Sequence, residues 1–316
     1  MEARHPRVHA PDRHRRRRLR HRTNRFPMLV AQHLATTHGR ELDIATAKAA
    51  AVFTALKFKA TDKGTTAASI FASESLPTQL GATIDAHWDS IGDTVPDDVV
   101  TAARAALDVD NTIDLALFGR MLAEIPVGGR IDGAVGVSHA FSVDPQAIEP
   151  DFFTAVDDAA PEGEAASGNL GVVQIAAPVL YRTAYLDRAQ LRRNLAAAPD
   201  PERLAADAET AFIDWFIRAV PDSKQRSTVA ATLPSLVVAV TGPQVLSAAD
   251  AFADAVRSDN VVATATTRLV DAVTRHANFV PGITVERLAR AADLPAAVAD
   301  GAHTRSADFI AAVRAA

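Results

Sequence analysis

The chain has no cysteine. Disulfides, cysteine nucleophiles and thiolate-bound metals are therefore outside its chemistry, and a reducing compartment suits it. It also lacks any apolar run approaching the roughly 20 residues that span a bilayer. Positive charge crowds the N-terminus, but no apolar stretch stands behind it, so it does not read as a secretory signal. These absences lead to the expectation of a soluble, cytoplasmic protein with no membrane partner. Lysine is scarce as well, with only five residues.

What is present is enough apolar material to build a core, 48% of 316 residues. That length exceeds one typical domain, yet a single core with insertions can use it. The net charge of −5 conceals an asymmetry. Residues 1–26 hold ten arginines against two acids, a net +8, which leaves −13 on the rest. A body this acidic carries no general basic face. Phosphate binding must then come from a local groove or from the basic arm. The arm, residues 1–25, has no apolar periodicity and is expected to be disordered alone, because like charges bury too little surface to offset ordering entropy.

Residues 26–125 read as mostly helical. Met28, Val30 and Leu34, then Ala45–Phe58, Thr78–Ile91 and Asp97–Leu107, carry apolar groups at three-to-four spacing. Pro96, Asp97 and Asp98 suit a helix start. The pattern then changes. Arg130–Val143 alternates small and β-branched residues and reads as a strand, and Val172–Tyr185 reads as a second. Residues 144–169 between them are rich in proline, acids and glycine and read as an exposed excursion. The segment 202–220 predicts an amphipathic helix with Leu204, Ala208, Phe212, Phe216 and Val220 on one stripe. Ser227–Val240 reads as strand around Pro234. Helices are expected at Ser247–Arg257, Val261–His276, Val285–Ala291 and Ser306–Ala315. Strands interleaved irregularly with helices indicate an α+β fold.

Catalytic signatures are missing. No Gly-x-Ser-x-Gly elbow or phosphate-binding Gly-x-x-x-x-Gly-Lys-Ser/Thr loop occurs. Asp108, Asp110 and Thr112 open like a calcium loop, but Ile113 replaces the turn glycine and Gly119 the bidentate glutamate. The histidines beyond the arm (His33, His38, His87, His139, His276, His303) show no metal-ligand spacing. His139, within the expected strand, reads as a hydrogen-bonded, partly buried histidine. Asp157 and Asp158 are adjacent, and neighbours on an extended chain face opposite ways, so they do not easily share a metal or proton.

Four motifs occur in order: DLALFGRM (114–121), RIDGAVGVSHAFSVD (130–144), DFFTAVDD (151–158) and VLYRTAYLDRAQLRRNL (179–195). AVPDSKQRSTVAATLPSLVVAV (219–240) continues them. Together they resemble the CasC/Cse-type backbone subunit of type I-E CRISPR Cascade complexes, of the RAMP superfamily. The resemblance implies a hand-shaped protein: an RRM-like (ferredoxin-like) antiparallel palm, a helical insertion (26–125) and a protruding β-hairpin thumb (142–172), in one domain over 26–316. It implies copies assembled head to tail along one CRISPR RNA, with other Cascade subunits alongside and target DNA recognised through the guide. It implies no catalytic role and no cofactor or metal. Family members open with a palm strand and an Arg-x-Ser-Ser-Gln-x-x-Lys-Arg-like segment not found here, so the palm is expected to lack a strand.

The candidate RNA contacts follow from the motifs. Gly119-Arg120-Met121 matches the family's Gly-Arg-Met loop. Glycine permits close backbone approach, Arg120 can grip phosphate and Met121 can wedge against a base; a helix-end turn with a surface arginine is the plainer alternative. Phe152 and Phe153, beside Thr154, offer stacking faces of the kind single-strand binders use, or they pack on the palm or a neighbouring subunit. Lys224, Gln225 and Arg226 suit sugar and phosphate contacts at a strand entrance, or form a solvated basic turn. Two rival readings remain: a metal-dependent endoribonuclease of the same superfamily using Asp157 or Asp158, and a truncated member unable to assemble.

Overall fold

Backbone pairing begins inside the basic segment. The computed structural model describes residues 20–92, 94–108, 112–122, 130–156, 167–221, 225–229, 231–290 and 294–316. Within them the chain forms two compact units, one built from residues up to Gly136 with Leu186–Glu209, the other from Val137–Tyr185 with Thr210–Ala316. No helix among the described residues is long and apolar enough to cross a membrane.

The first unit opens with strand β1 (Arg20–Thr23), inside the stretch expected to be disordered; residues 1–19 lie outside the described residues. Helix α1 (Phe26–His38) follows, with Pro27 in its first turn, where a missing N–H costs nothing. It stops at Gly39, whose left-handed φ of 68° lets its N–H bond Leu34 O. Then come α2 (Leu42–Ala55), β2 (Ile70–Ser73), α3 (Leu76–Ala86), α4 (Asp97–Asp108) and α5 (Ile113–Phe118). β1 and β2 are antiparallel, Arg22 opposite Phe71. Phe26, Val30 and Leu34 of α1 meet Ala49, Val52 and Phe53 of α2, Leu80 and Ile84 of α3, and Val99, Ala103 and Leu107 of α4 in one buried core. Those positions recur every three or four residues, the pattern that predicted the helices.

A polar seam joins α1 to α3. Asp85 accepts from Arg40 Nε (2.7 Å) and from His38 Nδ1 (2.9 Å), and Arg40 stacks 4.5 Å over Trp88. The hydrogen bond from Arg40, and then the positive charges of Arg40 and His38, hold the Asp85 carboxyl below its ordinary range despite some desolvation. A folded-state pKa depressed in this way contributes stability above the unfolded-state value and loses it as pH falls through the folded one. Urea midpoints are therefore expected to drop on acidification below about pH 4, and Asp85→Asn should flatten that drop. Equal acid sensitivity in the variant would remove Asp85 as a contributor.

After α5 the strands are short: β3 (Arg120–Met121), β4 (Arg130–Ile131), β5 (Val135–Val137) and β6 (Phe141–Ser142). The single strand expected over 130–143 is thus three pieces. The reason is partner switching: β4 pairs with β3, β5 with β10 (Ala184–Leu186), and β6 with β9 (Leu180–Tyr181). The excursion expected over 144–169 holds one arm of a long hairpin, β7 (Glu149–Val156), and the start of the other, β8 (Ser167–Ile175), which takes in the first residues of the second expected strand. Pro178 lies between β8 and β9 and cannot donate to a ladder, which divides the second expected strand.

Helix α6 (Arg188–Leu195) starts at Asp187, whose carboxylate accepts the Gln190 N–H at 2.8 Å. Helix α7 (Pro201–Arg218) realises the expected amphipathic segment. Arg188 of α6 holds the buried Glu209 of α7 at 2.6 Å. At the far end of α7, Arg182 donates to the carbonyls of Ala219 (2.6 Å) and Phe216 and stacks 4.8 Å over the Phe216 ring. A cation there suits the negative helix end, and burial lowers its pKa.

The second unit is completed by α8 (Gln225–Thr228), β11 (Leu236–Thr241), a 3-10 turn at Ala249–Phe252, α9 (Val261–Phe279), β12 (Thr284–Ala289), α10 (Ala296–Ala299) and α11 (Ser306–Ala315). β11 pairs antiparallel with β12. Its alternate side chains go to opposite faces: Val237 and Ala239 pack with Ile213, Ile217 and Phe309, while Val238 packs with Leu269, Ala272 and Val273. Two expected helices are corrected here. Val285–Ala291 belongs mostly to strand β12, because pairing with β11 overrides the helix preference of Glu, Arg, Leu and Ala. Ser247–Arg257 yields only the 3-10 turn, with Phe252 drawn against Phe141 and Tyr181.

The fold is a mixture of helices and small antiparallel sheets. The described strands pair only two by two, so a continuous RRM-like palm does not appear among the described residues.

Candidate nucleic-acid interface

In the first unit the candidate residues sit on a sharp corner. Gly119 ends α5 with φ 73° and ψ 177°, a region open essentially to glycine alone. Its backbone lies so close to the next turn that an added Cβ would stand 2.6 Å from Gly133 N and Ile131 O. Gly133 is also tight: a Cβ added there would stand 2.8 Å from the Phe118 carbonyl carbon. The two glycines let β3 lie against β4, with Arg120 opposite Ile131 and Met121 opposite Arg130.

Arg120 and Met121, adjacent on a strand, point opposite ways. Arg120 is only 5% exposed, and its guanidinium donates to Leu107 O (2.7 Å) at the end of α4 and Phe71 O (3.2 Å) on β2. The surface phosphate contact expected of it is replaced here by an interior bracket. Met121, by contrast, is 79% exposed. An exposed methionine on an ordered corner is an apolar, adaptable contact.

In the second unit the hairpin separates the two phenylalanines. Phe152 is opposite Val172, Thr154 opposite Leu170, and Phe153 opposite Gly171. Phe152, Thr154, Leu170 and Val172 therefore share one face. Phe152 is 71% and Leu170 73% exposed, and Val172 and Thr154 are exposed too. Phe153 belongs to the other face, with its ring over Gly171: a Cβ there would meet Phe153 Cζ at 2.5 Å. The pair thus does two jobs, one ring presented and one bracing a glycine in the opposite strand. Leu170 and Val172 escaped sequence reading, although the alternation after Asn169 was the signal for them.

The third expected cluster is incompletely described. Lys224 lies outside the described residues, as do Asp157 and Asp158. Gln225 and Arg226 open the helical turn α8 and do not lie at a strand entrance; the Arg226 side chain is exposed. His139 is exposed, between β5 and β6, and not partly buried in a strand. Among the described residues no three His, Asp or Glu side chains gather to hold a metal ion.

In the first unit, α6 contributes a polar contact from within the motif at 179–195, at a residue the sequence did not single out. Asn194 Nδ2 donates to Ala116 O (2.9 Å) and Asp132 O (2.7 Å), joining α6 to the segments before and after the glycine corner.

The chain as a whole is similar to chains of CRISPR RNA-guided surveillance complexes. A chain of one such complex, in a pre-nicking state, is similar with a TM-score of 0.79 and 29% identity, over 96% of this chain and 85% of that one. A chain of a second CRISPR RNA-guided surveillance complex is similar with a TM-score of 0.57 and 29% identity, over 77% of this chain and 85% of that one. The protein belongs to the CT1975-like protein family, which matches it over residues 3–309. It is a Cascade backbone-type protein, as its motifs implied. No curated protein matches it.

Proposed function

We propose that the protein is a non-catalytic, cytoplasmic guide-RNA-binding subunit of a type I-E Cascade complex, several copies of which assemble head to tail along one CRISPR RNA. The observation that carries this reading is the likeness, over nearly the whole chain, to a subunit of a CRISPR RNA-guided surveillance complex. Two local features support it. Met121 and the Phe152 face of the β7–β8 hairpin are exposed apolar groups on ordered backbone. Such groups contact any base equally, which a binder of variable guides requires. In this reading the hairpin is the thumb, Phe152 meets a displaced base, Thr154 and Arg226 add polar contacts, and the intervening guide bases pair with target DNA. Sequence is then read by base pairing and not by the protein.

The acidic body limits how much of the binding is electrostatic, so contacts to phosphate must be local. Binding is still expected to weaken with salt, because each neutralised phosphate releases counterions. Fluorescence anisotropy with two labelled RNAs of unrelated sequence, titrated at rising salt, tests the reading. Similar affinities that fall together with salt, and intact RNA after incubation with magnesium or manganese, are expected. No binding at low salt would sink it, and metal-dependent cutting would replace it with the nuclease reading.

A further inference from the structure

The ladder that carries Met121 is too short to place itself. It has two residue pairs, Arg120 with Ile131 and Met121 with Arg130. Even a complete isolated hairpin is marginally stable in water. Its position must be imposed from outside; the Ala134 N–H bond to Ala116 O (3.2 Å) contributes, and two side chains complete the hold. On one side the guanidinium of Arg120 grips Phe71 O and Leu107 O. On the other, Asn194 reaches from the last turn of α6 to Ala116 O, in α5, and to Asp132 O, just after β4. These two acceptors lie on the chain segments entering β3 and leaving β4.

The orientation of the Asn194 amide is itself fixed. Gln190, one turn earlier on α6, donates its Nε2 to Asn194 Oδ1 at 2.8 Å. With its oxygen used in this way, the amide turns its nitrogen to the two carbonyls, and an amide has two N–H donors for them. Helix α6 is in turn anchored by its Asp187 cap and by the Arg188–Glu209 pair. The bracket is therefore continuous from α7 through α6 to the corner.

We infer that Asn194 is a positioning residue for Met121: it fixes the place at which the methionine is presented to guide RNA, without touching the RNA itself. The inference rests on the proposed guide-binding role of Met121. A side chain with three rotatable bonds can act as a wedge only if its backbone is held, because contact energy falls off over fractions of an ångström.

A double-mutant cycle on the full chain tests this. Asn194→Ala, Met121→Ala and the double variant are compared with wild type by melting temperature, by affinity for a labelled, unstructured RNA oligonucleotide, and by chemical probing of base reactivity along it. Asn194→Ala is expected to weaken RNA binding about tenfold, the scale of a lost hydrogen-bonded bracket, and to blur the spacing of reactive bases. In the Met121→Ala background the same change should alter affinity by less than about twofold, since a residue acting through another has nothing left to act on. Gln190→Ala leaves Asn194's two backbone bonds in place but frees the amide to turn and removes Gln190's own long contact to Asp132 O (3.4 Å). It should act in the same direction more weakly, and it carries the test if Asn194→Ala does not fold. Equal losses in both backgrounds, or unchanged RNA binding, overturn the inference while leaving the guide-binding reading intact. A wild-type chain that binds no RNA overturns that reading, and this inference with it.

Discussion

Gly119→Ala is expected to unfold the first compact unit or bring it close to unfolding. Two costs coincide at this residue. The φ of 73° with ψ of 177° is strained for any residue with a Cβ. The Cβ itself would stand 2.6 Å from two backbone atoms, Gly133 N and Ile131 O, which cannot retreat without breaking the β3–β4 ladder. Strain of about 1–3 kcal/mol and overpacking of about 1–3 kcal/mol together approach the whole stability of many domains. Gly39→Ala separates the two causes. Gly39 has a similar φ of 68°, but nothing lies within 4 Å of an added Cβ. It should cost only the strain, about 1 kcal/mol. Urea unfolding of the two variants measures both. Comparable midpoints would show that the clash at Gly119 is relieved by local movement.

The second large effect concerns the hairpin, where Phe152→Ala and Phe153→Ala should behave differently. Phe152 is 71% exposed, so its removal costs little stability. If it stacks on a guide base, RNA affinity should fall by roughly tenfold to a hundredfold, the range of one base–aromatic contact. Phe153 covers Gly171. Its removal exposes the ladder at that glycine and should loosen the hairpin first, with RNA binding falling only as a consequence. Hydrogen exchange of the β7–β8 amides distinguishes the cases: unchanged protection is expected for Phe152→Ala and reduced protection for Phe153→Ala. Equal RNA losses with unchanged protection in both would return the phenylalanines to a single shared role.

Much of this arrangement was legible in the sequence, and what was not has definite causes. Helices α7 and α9 announced themselves because their apolar stripes are long enough to fix a period. β12 did not: Val-Glu-Arg-Leu-Ala is good helix material, and pairing with β11, with a further bridge to His303, makes it extended. The three-way division of 130–143 was invisible because it reflects changes of partner, a tertiary event without a local signature. Arg120 read as a surface cation since nothing nearby in sequence marks it as interior. Its acceptors, Phe71 and Leu107, are 49 and 13 residues away. Asn194 stands within the motif at 179–195, but nothing local marked its role, for its acceptors are 78 and 62 residues distant. The opposed faces of Phe152 and Phe153, on the other hand, follow from strand geometry alone once that stretch is taken as extended. The order of the motifs along the chain carried the family, and the family in turn carries more of the functional reading than any single side chain.

If copies of the protein repeat along one guide as proposed, RNA length determines how many assemble. Light scattering of the purified protein with unstructured RNAs of increasing length, at low salt, measures this directly. The number of bound copies is expected to rise stepwise with RNA length, and Phe152→Ala to lower occupancy at every length. A complex whose mass stays that of one protein and one RNA, whatever the length, would contradict it.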